Sequence, residues 1–330
     1  MTKSMRVVLV YRHPQPGSFS IEELFHTIAV ELREHAEVIE FAVGSRWQLL
    51  ADAYRLRRLK ADIYHITGDV TYIAMLLPRR HSVLTIHDIG NWLFTLRGWK
   101  RRLYRLLWLC WPLRAAGAIT AISEATRFDI VERFALTDRP IRVIRNCCGE
   151  GFRPFDRPFR SECPVILQVG TSPHKNVHRL ADAIKGIRCK LILVGKLVDD
   201  LAAKLVENEI EFANFVNISR EQLIEQYRQC DLVSFLSLSE GFGVPVIEAQ
   251  ATGRALITSN ISPLREVSGG AACLVDPRDV DAIRAGILKI IEDSDYRNSL
   301  ISRGYDNAAT HSAANVGKEY LNLYRELLTC

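Results

Sequence analysis

Two carboxylates and two glycines stand close together in Ser237–Thr252, which reads SLSEGFGVPVIEAQAT. Glu240 precedes Gly241-Phe242-Gly243, and Glu248 follows eight positions after Glu240. Glycines at 241 and 243 let the chain turn sharply and remove side chains that would block a ligand. Val244–Ala249 reads as the opening turns of a helix. Pro245 suits an early helical position, because its missing N–H would have no partner there anyway. The N–H groups of Phe242, Gly243 and Val244 would then point out of a helix N-terminus, where partial positive charge suits a diphosphate. Eight residues of helix rise about 12 Å, and the turn shortens that path. Two carboxylates flanking such a cradle suit hydroxyl recognition at two points on one ligand. The plainer alternative is a strand–turn–helix junction with one Glu capping the helix and the other buried and paired. The two flanking acids and the domain organisation below favour a site.

The elements that must carry this turn are legible as short β-branched runs. In the first half they are Arg6–Tyr11, Val38–Val43, Ala61–Ile66, Ser82–Asp88, Gly117–Ile122 and Ile141–Asn146. In the second they are Pro164–Gly170, Cys189–Gly195, Asn214–Ile218, Cys230–Leu238, Ala255–Asn260 and Ala271–Val275. Apolar runs without alternation suit strands buried on both faces. Ser20–His35, Arg220–Gln229, Asp279–Asp293 and Ala313–Leu328 carry helical spacing. Ser219 with Gln222 three positions on fits a capping box. Strands alternating with helices predict parallel sheets built from right-handed crossovers. The stretch CCGEGFRPFDRPFRSECP breaks both periodicities and reads as a linker. The fold class is therefore α/β, with two doubly wound, Rossmann-like domains at 1–150 and 151–330 facing a central cleft. Ligands in such sheets sit at the carboxyl ends of the strands.

Composition narrows the function classes. The 330 residues are 48% hydrophobic and 25% charged, near globular averages, which excludes a disordered or collagen-like chain. A formal net charge of +5 is too mild to imply nucleic-acid binding. The eight cysteines form no C-x-x-C pair, so a zinc site fails on spacing. A chain this long can bury a large core without a disulfide scaffold. MTKSMRVVLVYRHPQPG does not read as a signal peptide, and no run approaches the roughly 20 apolar residues of a membrane span. The expected compartment is the cytoplasm.

EGFGVPVIEAQATGRALITSN, with Glu240 and Glu248 separated by seven residues, resembles the E-x7-E motif of retaining glycosyltransferases of family 4, which have the GT-B fold. PVILQVGTSPHKNVHRLADAI, CKLILVG, REQLIEQYRQCDLVSFLSLSE and SPLREVSGGAACLVDPRD are similar to that family in the expected order. In the first half, SVLTIHDIG and GAITAISEATRFDIVERFAL resemble it less specifically. The resemblance implies a nucleotide-diphosphate sugar as donor and a hydroxyl acceptor on a glycan or lipid-linked molecule. It implies no cofactor and no metal. Asp293-Ser294-Asp295 closes a predicted helix rather than a strand, which agrees with metal-independent transfer.

Roles follow from that resemblance. Glu248 would bind the ribose hydroxyls, and Glu240 would face the donor sugar near its anomeric carbon. Amides of Gly241, Phe242, Gly243 and Val244 would approach the sugar or diphosphate. Lys175 would neutralise the leaving group, Gly170 and Thr171 would pass close to it, and backbone at Val216 and Asn217 would hold the base. His87, at a strand's carboxyl end, would meet the donor sugar; the local alternative is a strand-end His with its own hydrogen bonds. Gly17 and Ser18 resemble the family's glycine-bearing first loop, without its double glycine. Many relatives carry Arg beside the Lys, whereas here Pro173-His174-Lys175-Asn176 places a His there, with Arg179 one turn on. Relatives' closing helix crosses back to the first domain, which is the expectation for 313–328. Rival readings are a catalytically inactive sugar-nucleotide-binding protein and a dinucleotide-dependent oxidoreductase. The second is disfavoured because no G-x-G-x-x-G opens either half.

Arg97–Arg114 reads RGWKRRLYRLLWLCWPLR and contains no acid. Its leucines and tryptophans are interleaved with cations. One reading is a core helix with a solvated edge. A second is an amphipathic surface that binds an anionic bilayer, placing the protein peripherally on the inner face of the membrane, and a third is RNA binding.

Overall fold

The computed structural model describes residues 5–13, 20–44, 46–89, 92, 96–134, 136 and 139–329. Gly17 and Ser18 lie outside them. The chain divides into two compact units, Met1–Cys147 with Ser312–Cys330, and Cys148–His311.

The first unit contains β1 (Arg6–Tyr11), α1 (Ser20–Arg33), β2 (Glu37–Ala42), α2 (Leu49–Arg58), β3 (Ile63–Ile66) and β4 (Ser82–Ile86). α3 (Gly98–Tyr104) runs through a π-helical turn (Arg105–Cys110) into α4 (Trp111–Ala115), followed by β5 (Ala118–Ala121), α5 (Glu124–Phe134) and β6 (Ile141–Val143). The six strands are parallel, in the order β2-β1-β3-β4-β5-β6. The pleat sends alternate residues to opposite faces. Val8, Val10, Tyr64 and Ile66 pack under Ala53, Leu56, Leu109, Cys110 and Leu113, so α2, the π-helical turn and α4 cover one face. Val7, Leu9, Ile63 and Val83 face Phe25, Ile28, Tyr320 and Tyr324 on the other. Those two tyrosines belong to the closing helix of the chain, Ala313–Thr329, which is therefore part of the first unit's core.

The second unit has β7 (Val165–Val169), α6 (Val177–Ile184), β8 (Lys190–Val194), α7 (Asp199–Glu207), β9 (Glu211–Phe215), α8 (Arg220–Gln229) and β10 (Leu232–Phe235). It continues with α9 (Val244–Ala251), β11 (Ala255–Ser259), α10 (Leu264–Val267), β12 (Cys273–Val275), α11 (Val280–Glu292) and α12 (Ser294–Thr310); the closing helix is α13. The sheet is again parallel, in the order β12-β11-β10-β7-β8-β9. Ser219 caps α8, and its capping box with Gln222 is formed. Asp293 ends α11 and caps α12 by accepting the Tyr296 N–H. The strand expected at Asn214–Ile218 lies three residues earlier, at Glu211–Phe215, which moves Val216 and Asn217 into the loop after it. β9 is an edge strand with polar Glu211 and Asn214, so its apolar run does not mark its ends.

The stretch read as a linker packs on the second unit. The Arg160 guanidinium lies 2.6 Å from the buried Asp231 carboxylate, whose Oδ2 also accepts the Val165 N–H at 2.8 Å. The Phe155 carbonyl accepts from Arg254, and Phe152 meets Tyr227 edge-on.

One buried polar chain crosses the first unit. His65 on β3 bonds the Tyr324 hydroxyl through Nδ1 at 2.6 Å and Thr85 through Nε2 at 2.7 Å. Thr85 in turn meets Thr120 at 2.7 Å. Burial lowers the His65 pKa to about 3, below that of the free imidazole. The unfolded chain therefore takes up the proton first as pH falls. The stability His65 confers is complete above about pH 6.5 and drains away toward pH 3, by as much as about 5 kcal/mol. The urea midpoint of the wild type should fall toward that of His65→Gln between pH 7 and 5. A gap that stays constant over that range would contradict the buried neutral imidazole.

Candidate functional site

In the second sheet the chain runs from β7 outward to β8 and β9, then returns to β10 on the other side of β7. That reversal between β7 and β10 opens a crevice at their carboxyl ends, where α/β sheets bind ligands. The loops that leave those two ends are 170–176 and 236–243, which carry Lys175 and Glu240.

Gly170 has φ +87°, and a Cβ there would lie 2.9 Å from Cε of Lys175. The missing side chain is what allows the Lys175 stem to lie across the loop. The Leu238 N–H donates to the His174 carbonyl at 2.8 Å, joining the two loops. Lys175 Nζ lies 2.5 Å from Glu240 Oε1 and 4.5 Å from the centre of the Phe235 ring. These side chains are only 17% and 14% exposed, so the pair is partly screened from water.

Gly243 caps α9 in the left-handed region at φ +106°, and a Cβ there would sit 2.4 Å from Leu264 Cδ2. Phe242 turns its ring into the interior, edge-on to buried His311 at 5.7 Å. The Val244 N–H opens the helix, so no carbonyl one turn back receives it. Pro245 occupies the first turn. Glu248 lies further into α9, buried, and its Oε2 accepts the Tyr227 hydroxyl at 2.7 Å. Burial first, and then the Glu248 carboxylate, hold the Tyr227 pKa well above the usual phenol range, so Tyr227 is a donor at every working pH. Glu240 is thus no helix cap, since its carboxylate bonds Lys175.

Thr171 donates to the Lys196 carbonyl at 2.6 Å, and Gly195 at φ +145° leaves room for its hydroxyl. Exposed Val216 and Asn217, the latter at φ +54°, follow β9. Gly170, Thr171, Lys175, Val216, Asn217, Glu240 and Gly241–Val244 therefore all lie at the carboxyl edge of one sheet, while Glu248 reaches from inside α9. His174 Nδ1 lies 3.3 Å from Ser172 Oγ, and the Arg179 guanidinium donates to Asn176 Oδ1 at 2.8 Å.

His87 belongs to the first unit. Its Nε2 lies 2.7 Å from the Thr67 carbonyl, which can only accept, so Nε2 carries the proton. Burial lowers its pKa, leaving the ring neutral near pH 7. It lines a small hollow with Gly68, Asp69, Thr71, Asp88 and Tyr104. Sequence reasoning missed Arg12 beside that hollow. Its guanidinium contacts Glu22 at 2.6 Å and Asp69 at 2.9 Å, at the carboxyl ends of β1 and β3 where the first sheet reverses. An arginine directly after an apolar strand, with an acid in the next helix's first turn, was the available signal.

A cation, a carboxylate and a helix N-terminus at the reversal of a parallel sheet are the arrangement with which α/β proteins bind phosphorylated ligands at their strand ends. Residues 152–307 match the model of glycosyl transferases group 1, and residues 5–148 that of Glycosyltransferase Family 4. The chain is 30% identical over 332 residues to the O-antigen chain mannosyltransferase B of Escherichia coli, covering 89% of this chain and 84% of that one. Its fold is similar to that of Anabaena HepE, solved in complex with UDP and glucose. There the TM-score is 0.77 at 18% identity, over 98% of this chain and 100% of that chain. Sucrose-phosphate synthase from Thermosynechococcus elongatus gives 0.76 at 17%, over 98% and 99%. The chain belongs to the family 4 type of glycosyltransferases, and its fold is GT-B. Among the described residues, no helix is long and apolar enough to cross a membrane.

Proposed function

We propose that this glycosyltransferase moves a hexose, with retention of anomeric configuration and without a metal, from a nucleotide-diphosphate sugar to a hydroxyl of a glycan or lipid-linked acceptor during assembly of a cell-surface polysaccharide. The observation that carries the reading is the Lys175–Glu240 pair at the reversal between β7 and β10. Lys175 supplies the positive charge that a departing diphosphate requires. Glu240 then exchanges the ammonium for hydroxyls of the sugar. The Gly241–Val244 turn brings backbone N–H groups to the same place, and Glu248 takes the ribose. As the bond between the anomeric carbon and oxygen breaks, its electron pair leaves with the nucleoside diphosphate. The acceptor oxygen attacks on the same face, and its proton passes to the departing phosphate oxygen. His87 is a candidate for the same reaction, tested by His87→Ala.

The first sugar to try is mannose, because the E. coli relative is named a mannosyltransferase. A thermal-shift panel of uridine and guanosine diphosphate sugars, with NAD(P) as control, should select one nucleotide sugar. That donor should then be turned over at a rate indifferent to EDTA, and NMR of the product should show the same anomeric configuration as the donor. Stabilisation by NAD(P) alone would remove the reading, and binding without turnover would leave an inactive sugar-nucleotide-binding protein.

Tyr227→Phe tests the ribose role of Glu248. Loss of a hydrogen bond to a charged group corresponds to about a tenfold change or somewhat more. The KM for the donor should rise by that factor while kcat holds, and a 2′-deoxyribose donor should show a smaller rise. An equal rise with both donors would sever Glu248 from the ribose.

A further inference from the structure

We infer that the outer side of the layer formed by α2, α3 and the π-helical turn docks on an anionic lipid bilayer. A core helix with a solvated edge would turn its apolar residues inward. Leu109, Cys110 and Leu113 do so. Trp99, Leu103 and Leu106, spaced i, i+4, i+7, lie exposed on the outside instead. On α2 the same division recurs. Ala53 and Leu56 are buried, while Leu50 and Tyr54 are exposed, with Trp47 97% exposed just before them. Both elements pack on the same face of the first sheet, so their outer sides share one layer. The exposed tryptophans among the described residues are Trp47 just before α2, Trp99 on α3 and Trp111 directly after the π-helical turn.

Charge says what covers this face. The segment 97–114 has six Lys and Arg and no acid; the segment 46–60 has five and one acid, Asp52, which is buried. Exposed tryptophans on segments rich in cations and nearly free of acids suit the interface of a bilayer bearing anionic headgroups. Single-stranded RNA would also meet cations and aromatic rings. The aliphatic Leu50, Leu103 and Leu106, however, gain from acyl chains and offer nothing to a base.

The test is sedimentation of the full chain with vesicles of phosphatidylcholine, alone or mixed with phosphatidylglycerol, at low and high salt. The protein should pellet with the mixed vesicles only, and less at high salt. Each lost cation should weaken binding about fivefold, so Arg102→Glu with Arg105→Glu should lower it by at least about 25-fold. Trp99→Ser with Leu103→Ser should weaken it without changing charge. All four side chains are outside the core, and an unchanged thermal midpoint checks that the variants fold. Equal pelleting with both vesicle types, no pelleting with either, or variants that bind as the wild type does would each overturn the inference. So would competition by RNA that removes the protein from the vesicles. Since sugar transfer is not read, the outcome is independent of the donor assignment.

Discussion

Lys175→Ala is expected to lower kcat about 10²–10³-fold, with a smaller change in the KM for the donor. Removal of one preorganised group that meets developing charge typically has that effect. The ammonium is well placed to meet it. Its stem is held across Gly170, its head lies 4.5 Å from the Phe235 ring centre, and it is mostly shielded from water. A Coulomb interaction there is stronger than one at an exposed lysine. Lys175→Arg keeps the charge but exchanges a compact ammonium for a wide planar group, so it should restore activity only in part. Initial rates on the selected donor decide it. A kcat for Lys175→Ala equal to wild type would take Lys175 out of the reaction.

Glu240→Gln should reduce turnover about a hundredfold while keeping the side chain's shape. The amide cannot balance the Lys175 ammonium in the free enzyme, nor accept strongly from the sugar's hydroxyls. Intact-mass spectrometry of wild type and variant under turnover should show no glycosyl-enzyme. A sugar adduct on Glu240 would replace the same-face route with a covalent one. The two substitutions should not add, because each alone leaves its partner unpaired in a half-buried place. The double variant should therefore lose less than the product of the single losses.

Much of the scaffold was legible because its strands are buried on both faces. The apolar runs read at Arg6–Tyr11 and Ala255–Asn260 hold strands β1 (Arg6–Tyr11) and β11 (Ala255–Ser259). The capping box at Ser219 was legible because it closes within four residues. β9 was displaced because an edge strand keeps polar residues and has no burial signal at its ends. Residues 147–164 carry loop chemistry, yet Arg160 and Phe152 fasten that loop to Asp231 and Tyr227, which are remote in sequence. On the basic segment, composition left a core helix and a surface helix equally open. The burial of Leu109 and the exposure of Leu103 separate them.

By itself, the chain's order of residues determined the glycine turn, the helix it opens and the acids beside it, because turn chemistry and capping act over a few residues. Only the tertiary structure decided that Lys175 and Glu240, 65 positions apart, meet at 2.5 Å, and that Tyr227 holds Glu248. The strand order does this. It places β10 against β7, so two loops far apart along the backbone leave neighbouring strand ends, an adjacency that no local spacing encodes.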